Sequence, residues 1–434
     1  MVITDNQKDG FISKIIEWSI NNKFMVIILT LALIAGGIYS IQNIPLDAQP
    51  DLSDVQVIIY TEYAGQGPRI VEDQITYPMT TKMLSVPFAK VVRGYSFFGF
   101  SMIYIIFEDG TDIYWARSRV LEYLSSLQKD LPEGVSPTLG PDATGLGWVY
   151  QYVLQSDKHD LQELRSIQDW FLRYELSSLS GVSEVASIGG FVKQYQVNVD
   201  PNKLASYGIP LSKIKSAIKN SNNDVGGRLL EVSEMEFMVR GLGYIKNVED
   251  IKKIAIGHSA KIGTPIYLEN VATVDIGPEL RRGVADWNGE GETVGGIIVM
   301  RYGENALEVI NRVKNRIEEL KASLPEGVEI ITSYDRSELI NAAIDNLKTT
   351  LTEETIIVAI IIILFLLHVR ISLVSIFTLP VAVLAAYIIM YYQGINANIM
   401  SLGGIAIAIG AMVDAAIVMV ENAHTHIAHE QALP

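Results

Sequence analysis

The sequence predicts a membrane α-helical bundle that carries one large α+β loop outside the membrane. Three observations lead to this fold class. The chain is apolar overall, with 49% hydrophobic residues and a mean hydropathy of +0.25. Four long stretches carry almost no charge, and a helix needs about 20 apolar residues to cross a bilayer. Between the first two of these stretches, residues 43–354 alternate strand-like, helix-like and turn-like segments, which is typical of a folded region outside the membrane.

The net charge disfavours a nucleic-acid partner, and the absence of cysteine excludes disulfides and thiolate metal sites. The formal net charge of −15 disfavours contact with a phosphate backbone, so we expect no nucleic-acid partner. The sequence contains no cysteine, so it forms no disulfide and offers no thiolate to a metal ion.

The first expected membrane span is residues 24–41, a run of 18 uncharged residues behind a polar, amphipathic N-terminal segment. Lys8, Lys14 and Lys23 precede this run. Because cytoplasmic flanks are enriched in Lys and Arg, they favour a cytoplasmic N-terminus.

The second and third expected spans are residues 355–369 and 371–393. Pro380 lies inside the third, which is tolerated where neighbouring groups satisfy the freed carbonyl. Arg370 joins these two spans and favours a cytoplasmic connection, whereas the connection to the fourth span, residues 394–398, is uncharged. One reversal per span then places the large loop outside and the end of the chain inside; for a Gram-negative inner membrane, outside means the periplasm.

The large loop contains an internal repeat. RVLEYLSSLQKDLPEGV, residues 119–135, recurs as RVKNRIEELKASLPEGV, residues 312–328, with eight identities at an offset of 193. A strand-like segment and a glycine turn precede both copies at the same offset. We therefore expect at least two related α/β sandwich subdomains in which helices cover one face of a sheet. Between them, residues 220–241 resemble a hairpin or projecting arm that could contact a sister subunit.

The fourth span, residues 395–420, contains a single charge, Asp414. An Asp near the middle of a membrane helix costs roughly 2.5–3.5 kcal/mol, and intramembrane acids usually mark proton or ion pathways. The alternative is an Asp near the helix end that is hydrated through a cytoplasmic vestibule.

A stripe of residues shares one face of this span with Asp414. At about 100° per residue, the stripe consists of Met400, Gly403, Gly410, Asp414 and Glu421. Small residues let a second helix approach closely, so we expect this face to lie against another helix. Burial there raises the pKa of a carboxyl and a nearby cation lowers it, so Asp414 is a candidate proton carrier.

The sequence lacks the motifs of a nucleotide-driven transporter, so a nucleotide-driven mechanism would need another chain. It contains neither a G-x-x-x-x-G-K-[ST] phosphate loop nor an Asp-Lys-Thr-Gly phosphorylation sequence. The remaining candidate is the ion gradient, worth about 2.3 kcal/mol per charge for each 100 mV.

Several segments resemble one family of transporters over essentially the whole chain. NANIMSLGGIAIAIGAMVDAAIVMVENAH is similar to the fourth membrane helix of heavy-metal efflux permeases of the resistance-nodulation-division (RND) superfamily, in the copper/silver branch. IPLDAQPDLSDVQV, VVRGYSFFGFS, GPDATGLGWVYQY and NGEGETVGGIIVMRYGENA resemble the same family. Branches that export zinc, cobalt and nickel carry an extra Asp-Phe pair where this chain has Ala408 and Ile409, which argues against divalent cargo.

The resemblance implies a homotrimeric inner-membrane proton antiporter, not an enzyme. It would expel Cu(I) and Ag(I), with H⁺ as the coupling ion and no tightly bound cofactor, together with a periplasmic membrane-fusion adaptor and an outer-membrane channel protein. The family's relay Asp maps onto Asp414, and its membrane metal path maps onto Met400, Met412 and Met419. Thioethers suit these soft monovalent ions. Met412 lies about 160° from Asp414, so each methionine would need a partner on another helix.

The resemblance also divides the chain into ferredoxin-like and membrane parts. In order they are a cytoplasmic amphipathic segment (1–23), transmembrane helix 1 (24–42), porter subdomain 1 (43–135), porter subdomain 2 (136–180 and 276–335), a docking subdomain with a projecting hairpin (181–275), transmembrane helix 2 with its periplasmic extension (336–369), transmembrane helix 3 (371–393), transmembrane helix 4 (395–421) and a cytoplasmic tail (422–434). Family members contain a second, similar half. We therefore expect this chain to be an N-terminal half that needs its own C-terminal half to pump metal.

Other candidate residues have ordinary alternatives. Arg93 resembles a position that lines the family's periplasmic cleft, although a salt bridge is an equal interpretation. Glu421 could serve proton exit or mark the membrane interface. The pairs Met79/Met83 and Met235/Met238 could hold Cu(I), but packing or surface exposure is the simpler reading. His424, His426 and His429 could contact a metal or belong to a solvated tail.

Two further functions remain open at this level. The same fold could export zinc, cobalt, nickel or organic compounds. A protein of another class, a non-transporting membrane scaffold or sensor, would use the loop to bind partners and would not need Asp414.

Overall fold

The computed structural model describes residues 11–258, 263–281, 283–366 and 369–431. The helices in these ranges are α1 (Phe11–Asn21), α2 (Lys23–Asn43), α3 (Pro68–Val71), α4 (Tyr77–Met83), α5 (Ile113–Leu127), α6 (Leu161–Ile167), α7 (Arg173–Ser177), α8 (Pro201–Tyr207), α9 (Leu211–Ser221), α10 (Val248–Lys252), α11 (Ala306–Lys321), α12 (Arg336–Leu366), α13 (Val369–Gln393) and α14 (Ile399–Gln431). Single π-helical turns, Glu72–Thr76 and Gln168–Leu172, join α3 to α4 and α6 to α7, and Leu268–Asn270 is a 3-10 turn.

The strands of the described residues lie between α2 and α12. They are β1 (Gln56–Glu62), β2 (Ala89–Phe97), β3 (Phe100–Phe107), β4 (Pro137–Leu139), β5 (Trp148–Gln155), β6 (Val182–Gly189), β7 (Lys193–Val199), β8 (Val225–Val232), β9 (Met235–Gly241), β10 (Ala255–His258), β11 (Pro265–Tyr267), β12 (Ala272–Pro278), β13 (Val294–Met300) and β14 (Glu329–Asp335).

The first sheet unit follows the order β-α-β-β-α-β from β1 to β4. Its antiparallel strands are arranged β2-β3-β1-β4. The helical segment α3–α4 and helix α5 contribute Met79 and Val120 to the same core as Ile59 and Ile103, so both cover one face of the sheet. Asp112 caps α5 by accepting the Trp115 N–H at 2.7 Å.

The second sheet unit repeats this order with an insertion. Its strands are arranged β14-β5-β13-β6, and α6–α7 and α11 pack on one face. Residues 190–293 lie between β6 and β13, at the position where β2 and β3 of the first unit are joined by a short turn. Three predicted boundaries are therefore wrong. Strand β4 belongs to the first unit, which was expected to end at residue 135; β6 belongs to the second unit and not to the expected docking subdomain, residues 181–275; and the insertion extends beyond residue 275.

Equivalent positions of the two units are related by two offsets. Up to the second strand the offset is 93, shown by the buried helical series Val71, Ile75, Met79 and Met83 against Leu164, Gln168, Leu172 and Leu176. From the third strand onward it is 193, and the glycines of the two LPEGV turns, Gly134 and Gly327, have φ of 84° and 85°, which glycine adopts without steric cost. The difference between 193 and 93, 100 residues, is the insertion.

At three core positions that contact one another, the two units have different residue types. They are Ile59, Ile75 and Ile103 in the first unit and Tyr152, Gln168 and Gly296 in the second. Tyr152 Oη donates to Gln168 Oε1 at 2.8 Å. Its ring lies beside Gly296, where an added Cβ would be 2.4 Å from Tyr152 Cζ. Burial also raises the pKa of Tyr152, so the hydroxyl keeps its proton.

This exchange predicts a stability effect. Gln168→Leu leaves the buried Tyr152 hydroxyl unpaired and should lower the free energy of unfolding by about 1–3 kcal/mol. The triple variant Tyr152→Ile, Gln168→Ile, Gly296→Ile copies the first unit and should recover most of that loss, since replacing both polar partners can be nearly neutral. Thermal unfolding in detergent measures both. A triple variant less stable than Gln168→Leu would contradict the equivalence of the two units.

The insertion folds around a core of its own. Strands β7 and β12 pair along their whole length, and Ile214, Ile256 and Val274 belong to its buried cluster. The predicted hairpin in residues 220–241 is present as β8 and β9, and every residue of both strands is exposed. We call this hairpin the arm.

Four long helices occupy the predicted spans. Among the described residues, the helix Lys23–Asn43 has the length and composition to cross a membrane, with a mean hydropathy of 2.4, and Pro380–Gln393 and Ile399–Met412 are shorter apolar stretches. Helix α12 follows β14 without a linker and is 31 residues long. Residues 367 and 368, within the predicted second span, lie outside the described residues, as do residues 1–10 of the N-terminal segment.

Close packing of α2 against α13 depends on a glycine. A Cβ on Gly37 would lie 2.5 Å from the Leu384 Cβ. At the same end of the two helices, Tyr39 and Tyr391 make an edge-to-face contact at 5.9 Å. Gly37 thus brings α13, and the turn that leads from it to α14, against the end of α2.

Candidate functional site

Two local motifs fix the start of α14. Gly394, with a φ of 68°, ends α13, and the Ile395 N–H returns to the Met390 carbonyl at 3.0 Å. Asn398 then caps α14, because its Oδ1 accepts the N–H groups of Met400 and Ser401, each at 3.0 Å. The Asn398 N–H in turn donates to Ser401 Oγ at 2.8 Å. The predicted helix start at residue 395 is therefore wrong by four residues, and α14 continues to Gln431, into the expected tail.

Helix α14 has one packed face and one open face. Leu402, Ile405 and Ile409 are buried against Ile44 and Tyr387. Gly403 and Gly410 lie on the other side, where an added Cβ would meet nothing within 4 Å. The predicted stripe is therefore present, but no helix of the described chain covers it.

Asp414 lies near the middle of the open face. It follows the first residue of α14 by 15 positions, or about 22 Å along the axis. Its side chain is exposed, and among the described residues no hydrogen bond or ion pair reaches the carboxylate. Ile407, 81% exposed, and Glu421 share this face. The open face of α14 therefore presents a carboxylate without a described ion-pair partner on an apolar helix surface.

The three methionines of the predicted metal path are separate. Met400 and Met419 are exposed, whereas Met412 is half-buried on the packed face with Tyr387 and Ile409. Met400 and Met412 are about 18 Å apart along the helix axis. Met412 and Met419 are about 10 Å apart along the axis, so the structure brings no two of the three together, and their role stays a prediction.

The remaining methionine pairs have different surroundings. Met79 and Met83 are fully buried in the core of the first sheet unit, and Thr61 Oγ1 donates to Met79 Sδ at 3.7 Å. Met235 and Met238 are exposed on the arm. The side chains of His424, His426 and His429 lie outside the described part of the structure. Among the described residues, no group of three or more His, Asp or Glu is placed to hold a metal ion.

Arg93 lies on the open face of the first sheet unit. It borders a hollow of about 340 Å³ that is otherwise lined by Gln56, Tyr95, Phe97, Met102, Tyr104 and Ile106. Tyr104 Oη donates to Met102 Sδ at 3.0 Å, and the rings of Tyr95 and Tyr104 meet edge to face. The predicted assignment of Arg93 to a cleft remains a prediction.

A larger cleft, of about 610 Å³, lies between the two sheet units and was missed in the sequence. The first unit contributes Glu62 and Phe100, the second contributes Arg165 and the turn after β6, and the end of the insertion contributes residues 279–281, 283 and 284. Arg165 is paired with Asp169 at 2.8 Å. No methionine is among the described residues that line it. The lining includes the consecutive glycines Gly189 and Gly190, both with positive φ, and this glycine pair is a signal that the sequence itself offers.

Comparisons with known proteins agree with this architecture. A family model described as the AcrB/AcrD/AcrF family matches residues 15–434. The cation efflux system protein CusA of Escherichia coli (strain K12) is 59% identical over 418 residues, which cover 95% of this chain and 40% of that protein. The putative cation efflux system protein SilA of Salmonella typhimurium is 57% identical with the same coverage. A crystal structure of a heavy metal efflux pump superposes with a TM-score of 0.83 at 33% identity, over 94% of this chain and 41% of that one. The chain therefore spans about 40% of the length of these proteins.

Proposed function

The chain belongs to the AcrB/AcrD/AcrF family, and we propose that it is the N-terminal half of a proton-driven RND permease that exports Cu(I) and Ag(I). The observation that carries this proposal is Asp414, an acid at the centre of the open, glycine-containing face of α14.

The energy comes from a proton that Asp414 takes up and releases. When a neighbouring helix covers the open face, loss of water disfavours the charged carboxylate and favours its protonation. When the neighbour moves away or brings a cation, the proton leaves. Each proton that crosses contributes about 2.3 kcal/mol per 100 mV. The acid thereby links the proton gradient to the position of a helix.

The cover for the open face is the chain's own C-terminal half. Gly403 and Gly410 leave room for a second backbone, as small residues do at membrane-helix interfaces. The match covers only 40% of CusA and of SilA, so each relative has more chain outside the match than within it. Export therefore requires both halves, and this chain alone does not transport.

We place the protein in the inner membrane with four spans in this half. Helices α2, α12, α13 and α14 are the spans. Tyr39, Tyr391 and Tyr392 gather at one end of α2 and α13, as aromatic side chains do at a membrane surface. The two β-α-β-β-α-β units, with the ferredoxin-like strand order, are then the periplasmic porter subdomains, and the insertion is the docking subdomain.

The cargo is a soft monovalent ion. This chain offers thioethers and no thiolate, and Ala408 and Ile409 stand where a divalent-ion branch would carry Asp and Phe. Met400, Met412 and Met419 would each pair with a ligand on another helix as the ion passes. The related protein CusA is named a cation efflux system protein.

The assembly is a homotrimer that works with a membrane-fusion adaptor and an outer-membrane channel. Its support in this chain is the arm, whose exposed apolar residues would be covered by a sister subunit. The adaptor and the channel continue the route across the periplasm and the outer membrane.

Growth on metal salts tests the function. In a strain without its own copper and silver exporters, the full-length gene should restore resistance to silver and copper and leave zinc resistance unchanged. The control is a gene that encodes this chain alone, which should restore neither. Zinc resistance without silver resistance would instead identify a divalent-ion exporter.

A further inference from the structure

The segment that follows α2 connects two separate hydrophobic cores. Ile44 is buried with Tyr387 and Leu402 among the long helices. Ala48, four residues later, is buried in the core of the second sheet unit with Val149 and Ile340. The five-residue segment 44–48 thus joins the helix bundle to the second sheet unit and is buried or half-buried along its whole length.

The α13–α14 turn is bonded to the same segment. The Asp47 N–H donates to the Ala397 carbonyl at 3.1 Å, and the Ala397 N–H donates to the Pro45 carbonyl at 3.0 Å. The Ile399 N–H, at the first residue of α14, donates to the Ala48 carbonyl at 3.2 Å. Leu46 and Ala397 consequently form a parallel β-bridge.

An ion pair also connects the start of α12 to the segment that follows α2. Arg336 is the first residue of α12, and its Nη1 lies 3.4 Å from Asp47 Oδ1. Its Nη2 donates to the carbonyl of Trp148, the first residue of β5, at 3.1 Å. The two side chains are only 9% and 12% exposed. Burial raises the pKa of Asp47 against the opposing effect of Arg336, so removal of the guanidinium would raise it further.

The neighbouring residue anchors α12 to the second sheet unit. Asp335 accepts the Ser337 N–H at 2.9 Å and forms an ion pair with Lys314 of α11. Burial acts to raise the pKa of Asp335, but Lys314 and Ser337 outweigh it and hold the pKa below its usual value. Asp335 ends β14, so strand and helix meet without a flexible residue between them.

We propose, resting on the function proposed above, that the Asp47–Arg336 ion pair is a positioning contact that couples α14 to the second sheet unit. Through it, the end of α2, the α13–α14 turn, the start of α12 and the second sheet unit move as one body. A shift of α14 then displaces the second sheet unit. Loss of either partner leaves a buried charge unpaired and frees the segment.

Spin-label distances in the full-length protein test the coupling. One label pair joins Tyr392→Cys, at the end of α13, to Ser323→Cys in the second unit, and a control pair joins Ser178→Cys to Ser323→Cys within that unit. This chain has no cysteine of its own, and any cysteine of the C-terminal half would be replaced by serine. Asp47→Asn and Arg336→Gln should at least double the width of the first distance distribution and leave the control unchanged, while Asp47→Glu should stay near wild type.

Ag(I) export by the same variants separates the two proposals. In reconstituted vesicles, Asp47→Asn and Arg336→Gln should lower the export rate at least tenfold, and Asp47→Glu should recover most of it. Unchanged distances, unchanged export, or broadening of the control pair as well would each overturn the coupling. If the wild-type protein exports no Ag(I), the proposed function fails, whatever the distances show.

Discussion

Asp414→Asn should abolish export of Ag(I) and Cu(I) by the full-length protein while leaving its amount in the membrane unchanged. Asn has nearly the same shape but cannot bind or release a proton, so the open face of α14 stays in one charge state. Each proton that crosses the membrane contributes about 2.3 kcal/mol per 100 mV. Because the variant carries no proton, the gradient contributes nothing to transport. Ag(I) movement driven by a pH jump in reconstituted vesicles measures this directly.

Two matched variants sharpen that result. Asp345→Asn makes the same chemical change at an exposed site of α12 and should export at the wild-type rate. Glu421→Gln lies on the same face of α14, seven residues beyond Asp414, and tells whether a second acid takes part. Full export by Asp414→Asn would refute the proton role and favour a scaffold or sensor.

Some of this fold follows from short-range patterns in the sequence. Both LPEGV turns place their glycine, Gly134 or Gly327, at a positive φ, which explains why this position is glycine in each copy. The first halves of the units share no such run. Their equivalence is visible only in burial, as with Ile75 and Gln168, whose chemistry changed together with that of their contact partners. Sequence identity at one offset therefore finds half of the duplication.

The site was predictable along a helix but not between elements. Angular spacing on α14 correctly grouped Asp414 with Gly403 and Gly410, because a helix fixes the direction of each side chain. It could not show that, among the described residues, no helix covers this face. Asp47 and Arg336 are 289 positions apart, and no local pattern joins them. The same holds for the cleft between the sheet units.

The apolar face of the arm is where we expect the second large mutational effect. On one face of the hairpin Leu230 lies opposite Phe237 and Val232 opposite Met235, and all four side chains are about half exposed. A two-stranded hairpin is marginally stable in water by itself. Asp224 fixes its base by accepting the Gly243 N–H at 2.8 Å and pairing with Arg240. These contacts hold the pKa of Asp224 below its usual value, so the clamp is intact at neutral pH and is lost only in acid.

If the proposed trimer is correct, Leu230→Asp with Phe237→Asp should therefore convert it to monomers and remove silver resistance. Burying each large apolar side chain contributes about 1.5–3 kcal/mol, and an unpaired charge in its place adds a further cost. The matched control is Leu229→Asp with Met238→Asp, the adjacent cross-strand pair, which lies on the opposite face with Glu231 and Glu236. Light scattering of the detergent-purified protein measures the mass. Equal dissociation by both variants would mean that the arm needs its fold but not its apolar face, and persistence of both trimers would place the subunit contact elsewhere.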